Sequence, residues 1–509
     1  MSYTASANRA ELDWQGDPQL TNPDLLPTPV EERTWTWWTY SALWMGMVHS
    51  VYNFTWIGGL IAVMGMSVWQ ALAVAITGNI IQTILMGLNG RVGARHGIPF
   101  AVWSRSAFGV FGANVPAIAR GLVAIGWFGV QSFLGSTAIN VLLEVTVGPW
   151  KALGDSTILG APTNLMLAMI IYWAINILVV YNGMDTVRRF ENWAGPMVFV
   201  VLAILLVYSI NAAHGIGPVF ETPSKFTSTG EFLLKGFFPM VAVYISGSWA
   251  TMVLNIPDLT RFARSNKGQF WGTMIGLPIA TLVFYCMASI IVSSCIVLFG
   301  KAIWNPSDIL IAINNPYLSI FGATLLAIAT ISVNIPANIV SPAYDLTNLM
   351  PKVFNFKSGA ITAMILGFVY MPWKLMENPA VLYGILNNIG ALLGPATGII
   401  IADFFFVRKQ HLDVPELFKV NGRYQYTNGF SVVALGILII SAAICVVGEF
   451  VPAVKWLYEY SWFIGLVLGF VGYLATVRIV SSGEGGVPEA YQPIGSLGTE
   501  FADIAAREQ

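Results

Sequence analysis

Ser332, Asn334, Asn338 and Ser341 interrupt an otherwise apolar run, ATISVNIPANIVSPAY from Ala329 to Tyr344, together with Pro336 and Pro342. In hydrocarbon an unpaired polar group costs on the order of several kcal/mol, so such a run must face protein, a ligand or a water-filled cavity. Asn334 and Asn338 are four residues apart and share one helical face. Two chemistries fit them: hydrogen bonds between packed helices, or amide recognition of a bound molecule.

Three further stretches favour recognition. In GLVAIGWFGVQSFLGSTAIN, from Gly121 to Asn140, Trp127 and Gln131 lie four apart on one face. A planar heterocycle could stack on the indole while the glutamine, with two donors and an acceptor, reads an amide or imide edge. ISGSWATMVLN places Ser246, Gly247 and Ser248 directly before Trp249. Such a row weakens a helix and releases backbone groups toward a ligand. In WMGMVHSVYNFTWIGGL, from Trp44 to Leu60, His49, Ser50 and Asn53 break the apolar pattern and Gly58 and Gly59 follow. A helix broken there would expose carbonyls to a cation. His49 fits either a hydrogen-bonded packing role or a proton carrier.

The elements that must position these residues follow from composition. The chain has 509 residues, of which 56% are hydrophobic and 10% charged, whereas a soluble domain carries about 25% charged residues. Apolar runs long enough to cross a hydrocarbon core recur throughout, which predicts an all-α polytopic membrane protein in the lipid bilayer. About twelve transmembrane helices are expected, near 37–63, 67–91, 112–144, 164–183, 193–213, 231–256, 270–300, 316–343, 359–374, 380–404, 431–450 and 458–478. With the N-terminus inside, eighteen of the 25 Lys and Arg residues fall on the inner side and six on the outer, with Arg120 near the inner end of span 3. This bias places both termini in the cytoplasm of a cell whose plasma membrane the chain crosses many times.

Spans 1 and 6, both interrupted, lie five apart. An odd separation gives the two halves opposite orientation, the pattern of an inverted repeat with its site at the interruptions. The expected division is a cytoplasmic N-terminal tail (1–36), a first repeat (37–213), a second repeat (231–404), two appended helices (431–478) and a cytoplasmic C-terminal tail (479–509). The glycine-rich, basic segment from Asn89 to Ala117 lacks GxGxxG and reads as a structured loop or re-entrant elbow rather than a phosphate site. Asp258 with Arg261 and Arg264 reads as a structural charge cluster at an inner helix end.

Other function classes find little support. Cys286, Cys295 and Cys445 sit in apolar runs and form neither a disulfide framework nor a metal motif. His49, His96, His214 and His411 are scattered, with no HExxH or nucleophile–base pairing, which argues against an intramembrane enzyme. A channel would carry rows of charge along a pore, and mid-span charges are nearly absent. The net charge of −1 gives no basis for nucleic-acid binding. No cofactor motif is present.

Nearly the whole chain, from Arg33-Thr34-Trp35 to the QPIG that begins at Gln492, resembles the nucleobase–cation symporter family, which includes bacterial hydantoin transporters and allantoin permeases. The most specific segments are WFGVQSFLGS in span 3, SPAYDL ending span 8, MPWKLMEN after span 9 and GPATGIIIADFFFVRK leaving span 10. KLMEN and RTW are closer to the allantoin-permease branch. The resemblance implies a five-plus-five inverted-repeat, LeuT-like fold with two C-terminal helices appended. It further implies a planar substrate sandwiched between Trp127 and Trp249 and bonded by Gln131, Asn338 and the backbone at Ser248. Asn334, Ser50 and Asn53 are supporting candidates, and the span 10 lid position falls at Leu386.

In sodium-coupled members the ion is held by carbonyls matching Gly46, His49 and Ala329 and by two hydroxyls, of which the first matches Ser332. The second position holds Val333 here, which degrades the site. The coupling ion is therefore left between Na+ and H+, with His49, Glu144, Asp345, Glu377 and Asp403 as titratable candidates. The expectation is a monomeric secondary transporter importing a small planar ureide, allantoin or hydantoin in type, by alternating access. Uracil, cytosine or another nucleobase or vitamin is the alternative cargo.

Overall fold

The structure, a computed structural model, describes residues 16–377, 379–481 and 489–491. It is almost wholly helical. The first half comprises α1 (Trp37–Val48), α2 (Val51–Ala62), α3 (Val68–His96), α4 (Phe100–Phe108), α5 (Asn114–Thr146), α6 (Thr163–Tyr181) and α7 (Met184–Ala212). The second comprises α8 (Phe238–Gly247), α9 (Ala250–Asn255), α10 (Asn266–Phe299), α11 (Pro306–Ile313), α12 (Pro316–Asn338), α13 (Val340–Leu349), α14 (Phe356–Val369) and α15 (Pro379–Ile401). Helices α16 (Val432–Phe450) and α17 (Ser461–Ser481) follow. The described strands are a two-residue hairpin pair, Thr157–Ile158 against Ala161–Pro162.

Among the described residues nine helices are long and apolar enough to cross a membrane. The other three expected crossings lie in shorter pieces: α1 with α2, α8 with α9, and α14. Rows of exposed Val, Ile and Leu on α7, α16 and α17, such as Val200, Ile204, Ile439, Ile440 and Val471, form the surface suited to lipid.

Both expected interruptions are present. His49 (φ −82°, ψ 59°) and Ser50 (φ −104°, ψ 149°) leave the helical region between α1 and α2. The local sequence closes its own break: Ser50 Oγ caps α2 by accepting from Asn53 N at 3.0 Å, and Asn53 Nδ2 donates to the released Val48 carbonyl at 3.0 Å. At the second interruption Ser248 (φ −102°, ψ −88°) and Trp249 (φ −109°, ψ 12°) separate α8 from α9.

Some boundaries differ from the sequence reading. Helix α7 begins at Met184, nine residues before the expected start at 193, so Arg188, Arg189 and Glu191 are helical. Charged residues mask an amphipathic helix end from a hydropathy reading. The expected elbow resolves into the end of α3, capped by Gly97 at φ 71°, and the wholly buried helix α4. The N-terminal tail is docked along its described part. Asn22 Nδ2 donates to the Pro351 and Phe354 carbonyls, and Arg261 donates to Thr28 Oγ1 and to the carbonyls of Asp24 and Leu26. The Asp258–Arg261 cluster is thus structural, Asp258 accepting from Phe100 N at 2.8 Å.

Candidate functional site

The two breaks face each other across α5 and α12. Between them lies a cavity with about 420 Å³ of empty space, part of it open to solvent. Ser50, Tyr52 and Asn53 line it from the first break, Trp127 and Gln131 from α5, Ser248 and Trp249 from the second break, and Val333 and Asn338 from α12. Seven of the expected contact residues therefore meet in one cavity.

Each wall has a physical origin. Trp127 is half-buried and makes an edge contact with Tyr52, ring centroids 4.8 Å apart at 75°. Trp249 is buried and held edge-on by Trp44 at 5.5 Å and 82°. Trp249 Nε1 and Gln131 Oε1 are buried without a hydrogen-bond partner in the protein. A buried polar atom left unpaired costs about 1–3 kcal/mol, so both are suited to a ligand that supplies the missing partner. Asn338 Nδ2 donates to Asn334 Oδ1 at 2.9 Å, which leaves Oδ1 of Asn338 as its acceptor toward a ring N–H. Ser248 N–H is spent on the Tyr244 carbonyl at 2.9 Å, so its carbonyl is the backbone group that can read a ligand.

One expected residue falls elsewhere, and one is not described. Asn334 lies behind the wall, fully buried, donating to Ser132 Oγ at 3.1 Å and to the Phe128 carbonyl at 3.4 Å. It orients Asn338. Leu386 belongs to α15, and its side chain lies outside the described residues, as does that of Glu377.

The sequence reading overlooked a polar face on α3. Asn79 Nδ2 donates to Tyr244 Oη at 2.8 Å, Gln82 Nε2 to the Ile245 carbonyl at 2.9 Å, and Asn89 Nδ2 to the Val253 carbonyl at 2.6 Å. Gln82 Oε1 also accepts from Ser248 Oγ at 3.2 Å. Gln82 thereby satisfies backbone released where α8 ends, and Asn89 does the same for a carbonyl near the end of α9. Their spacing along one helical face was the available signal. Arg120, read from the sequence only as a charge near the inner end of span 3, is fully buried: it donates to Asn255 Oδ1 at 2.9 Å and to the Ala337 carbonyl at 2.8 Å, joining the spans that carry Trp127, Trp249 and Asn338.

The chain matches known proteins over most of its length. Residues 27–465 match the family model described as permease for cytosine/purines, uracil, thiamine, allantoin. The chain belongs to this family. The permease is 42% identical over 469 residues to the allantoin permease of Bacillus subtilis, covering 91% of this chain and 94% of that protein. It is 34% identical to the purine-uracil permease of Arabidopsis thaliana, over 91% and 79% of the two chains. Among solved structures it resembles Mhp1, a nucleobase-cation-symport-1 family transporter in a closed conformation with bromovinylhydantoin bound. That match has a TM-score of 0.72 and 26% identity, over 96% of this chain and 99% of the other. A fold-level likeness extends to MhsT in complex with L-phenylalanine (TM-score 0.52, 14% identity, 86% of this chain and 98% of that one). The five-plus-five, LeuT-like architecture is thereby shared, and the protein is a transporter rather than an enzyme.

The residues matching the sodium ligands form an incomplete oxygen set. Val333 offers no oxygen and lines the 420 Å³ cavity instead. The Ser332 hydroxyl donates to the buried carboxylate oxygen Glu191 Oε2. The Gly46 carbonyl accepts from His49 N at 3.2 Å. His49 is buried, its Nδ1 hydrogen-bonded to the Met45 carbonyl and its ring packed edge-on against Phe199 and Phe284 at 4.0 and 4.9 Å. Ala329 and His49 border a second cavity of about 740 Å³ with an almost entirely apolar lining. Of the titratable candidates, Asp403 is committed to Arg408 at 2.7 Å, and Glu144 accepts from Asn140 and Asn164 at 2.8 and 3.2 Å. Asp345 is buried beside Ser341 at 3.4 Å.

Proposed function

We propose that this permease imports a small planar ureide, allantoin or a hydantoin, across the cytoplasmic membrane by alternating access, acting as a monomer with both termini inside. The ring stacks between Trp127 and Trp249. Gln131 meets one amide edge, Asn338 accepts from a ring N–H, and the Ser248 carbonyl takes a second donor. Ser50 and Asn53 shape the adjoining wall, and Leu386 closes the outer side. Spans 1, 2, 6 and 7 rock against spans 3, 4, 8 and 9 about this ring, each body drawing on both repeats, 37–213 and 231–404, with 431–478 appended. The observation that carries the reading is the cavity in which two tryptophans meet unpaired amide chemistry.

Support for a ureide comes from the Bacillus subtilis allantoin permease and from the hydantoin bound in the Mhp1 structure. Stacking tolerates many rings, whereas hydrogen bonds select among them, because an analogue lacking one donor leaves a buried acceptor unpaired. A ligand that binds only the folded state stabilises it by RT ln(1 + [L]/Kd). The test is a thermal-shift screen of purified protein against allantoin, 5-substituted hydantoins, uracil and cytosine. Allantoin or a hydantoin should give the largest dose-dependent rise. A rise with uracil or cytosine alone would transfer the assignment to nucleobases.

A further inference from the structure

Glu191 lies on α7, the fifth span, and is completely buried. Its Oε2 accepts from Ser332 Oγ on the eighth span, and its Oε1 has no hydrogen-bond partner in the protein. The carboxyl is also wedged against the first span. A Cβ built on Gly46 would lie 2.8 Å from Glu191 Oε2 and 2.1 Å from Ser332 Oγ, so a larger residue there would have to displace one of them. One turn further along α7, a Cβ on Gly195 would meet the Ala42 carbonyl at 2.2 Å and Gly46 N at 2.8 Å. Two glycines thus bring α7 and α1 into backbone contact at the level of the carboxyl.

This is the junction at which Gly46 and Ser332 would contribute to a cation site. A hard monovalent cation is held by oxygens that together replace its hydration shell. Here one hydroxyl position is the hydrocarbon of Val333, the other hydroxyl is turned to the Glu191 carboxyl, and the Gly46 carbonyl closes the end of α1 by accepting from His49 N–H. Elements that an ion would draw together are already joined by a side chain from a third span. No Lys or Arg among the described residues forms an ion pair with Glu191; the described ion pairs lie elsewhere.

We propose that Glu191 takes the place of a cation at this junction: anchored by Ser332 and seated against Gly46, it ties the fifth span to the first and eighth, and the permease binds its substrate without sodium. This rests on the transporter reading and not on which ring is carried. It makes Glu191 a positioning residue, outside the cavity and coupled to it through α12, which bears both Ser332 and Asn338.

The first readout needs no substrate. The melting temperature of the wild-type protein is followed while NaCl replaces choline chloride at constant ionic strength. No sodium-specific change is expected, and a saturable rise that Ser332→Ala removes would overturn the proposal. The second readout is the affinity for whichever ring stabilises the protein, expected to agree within twofold between the two salts. Affinity that is tenfold higher in sodium would also overturn it, whereas a panel in which no ring binds in either salt defeats the ureide reading and leaves the first readout standing. Glu191→Gln, whose amide can still pair with the Ser332 hydroxyl, should keep affinity within threefold, and Glu191→Ala should lower it at least tenfold in both salts. Equal affinity of wild type and a folded Glu191→Ala protein would refute the bridging role; if that variant does not fold, the salt comparison and Glu191→Gln decide.

Discussion

Asn338 Nδ2 donates to Asn334 Oδ1 at 2.9 Å across one turn of α12, and Asn334 in turn donates to Ser132 Oγ at 3.1 Å. The two asparagines therefore do different work although they share one face. Asn338 meets the cavity, and Asn334 fixes which way its amide points. Asn338→Ala removes a ligand contact, worth about 1–3 kcal/mol for a buried partner left unpaired, or roughly tenfold to a hundredfold in Kd. Asn334→Ala should weaken binding less, about threefold to tenfold, by freeing the Asn338 rotamer. Titration calorimetry of both variants checks the order. Loss at Asn334 exceeding that at Asn338 would reverse the assignment.

The tryptophans should separate stability from binding. Trp249 is buried against Trp44, whereas Trp127 is half-buried and touches Tyr52 at its edge. Deleting a buried aromatic costs about 3–5 kcal/mol, so Trp249→Ala should lower both the melting temperature and the affinity. Trp127→Ala should lower affinity at least tenfold with a much smaller change in melting. Trp127→Phe, which keeps a stacking face, should recover most of the binding. Melting curves with and without ligand report both quantities, and a Trp127→Ala protein with wild-type affinity would remove this residue from the site.

Both breaks and most cavity residues were legible because each leaves a mark in one dimension. Ser50 and Asn53 announce a helix start inside a hydrophobic run, and Trp127 and Gln131 share a face by spacing alone. Glu191 and Gln82 were not legible in the same way. Glu191 follows two arginines and sits next to Asn192, so it reads as part of a cytoplasmic loop until the helix is seen to begin at Met184. Gln82 looks like one polar residue on a long helix; its role depends on carbonyls released 163 residues later by the turn at Ser248. Partners that distant in sequence appear only when the helices are packed.

Gln82 offers a test of that distant support. Its amide holds the Ile245 carbonyl and its carbonyl accepts from Ser248 Oγ, so it satisfies the end of α8 without lining the cavity. Gln82→Leu preserves bulk but leaves the carbonyl unpaired, at a cost of about 1–3 kcal/mol. The turn that presents the Ser248 carbonyl should loosen, with affinity falling about fivefold to thirtyfold. Hydrogen exchange across residues 244–253 should accelerate in the same variant. Unchanged exchange with reduced affinity would mean that Gln82 acts on the ligand directly.

Asp403 allows the converse prediction, stability lost with binding kept. Its carboxylate accepts from Arg408 Nε at 2.7 Å, Ser106 Oγ at 2.8 Å and Tyr473 Oη at 2.9 Å, while Arg408 also donates to the Ala490 carbonyl at 2.8 Å. The cluster thus joins the end of α15 to α4, to α17 and to the short segment Glu489–Tyr491. Removing one partner of a buried ion pair costs about 3–5 kcal/mol, because the other charge is left without compensation. Asp403→Asn should therefore lower the melting temperature by several degrees, and Asp403→Ala by more. None of these residues borders the 420 Å³ cavity, so the folded fraction of Asp403→Asn should bind the ring with wild-type affinity. If binding fails while the melt is unchanged, Asp403 serves the transport cycle rather than the scaffold, and the coupling chemistry must be sought at the inner end of α15.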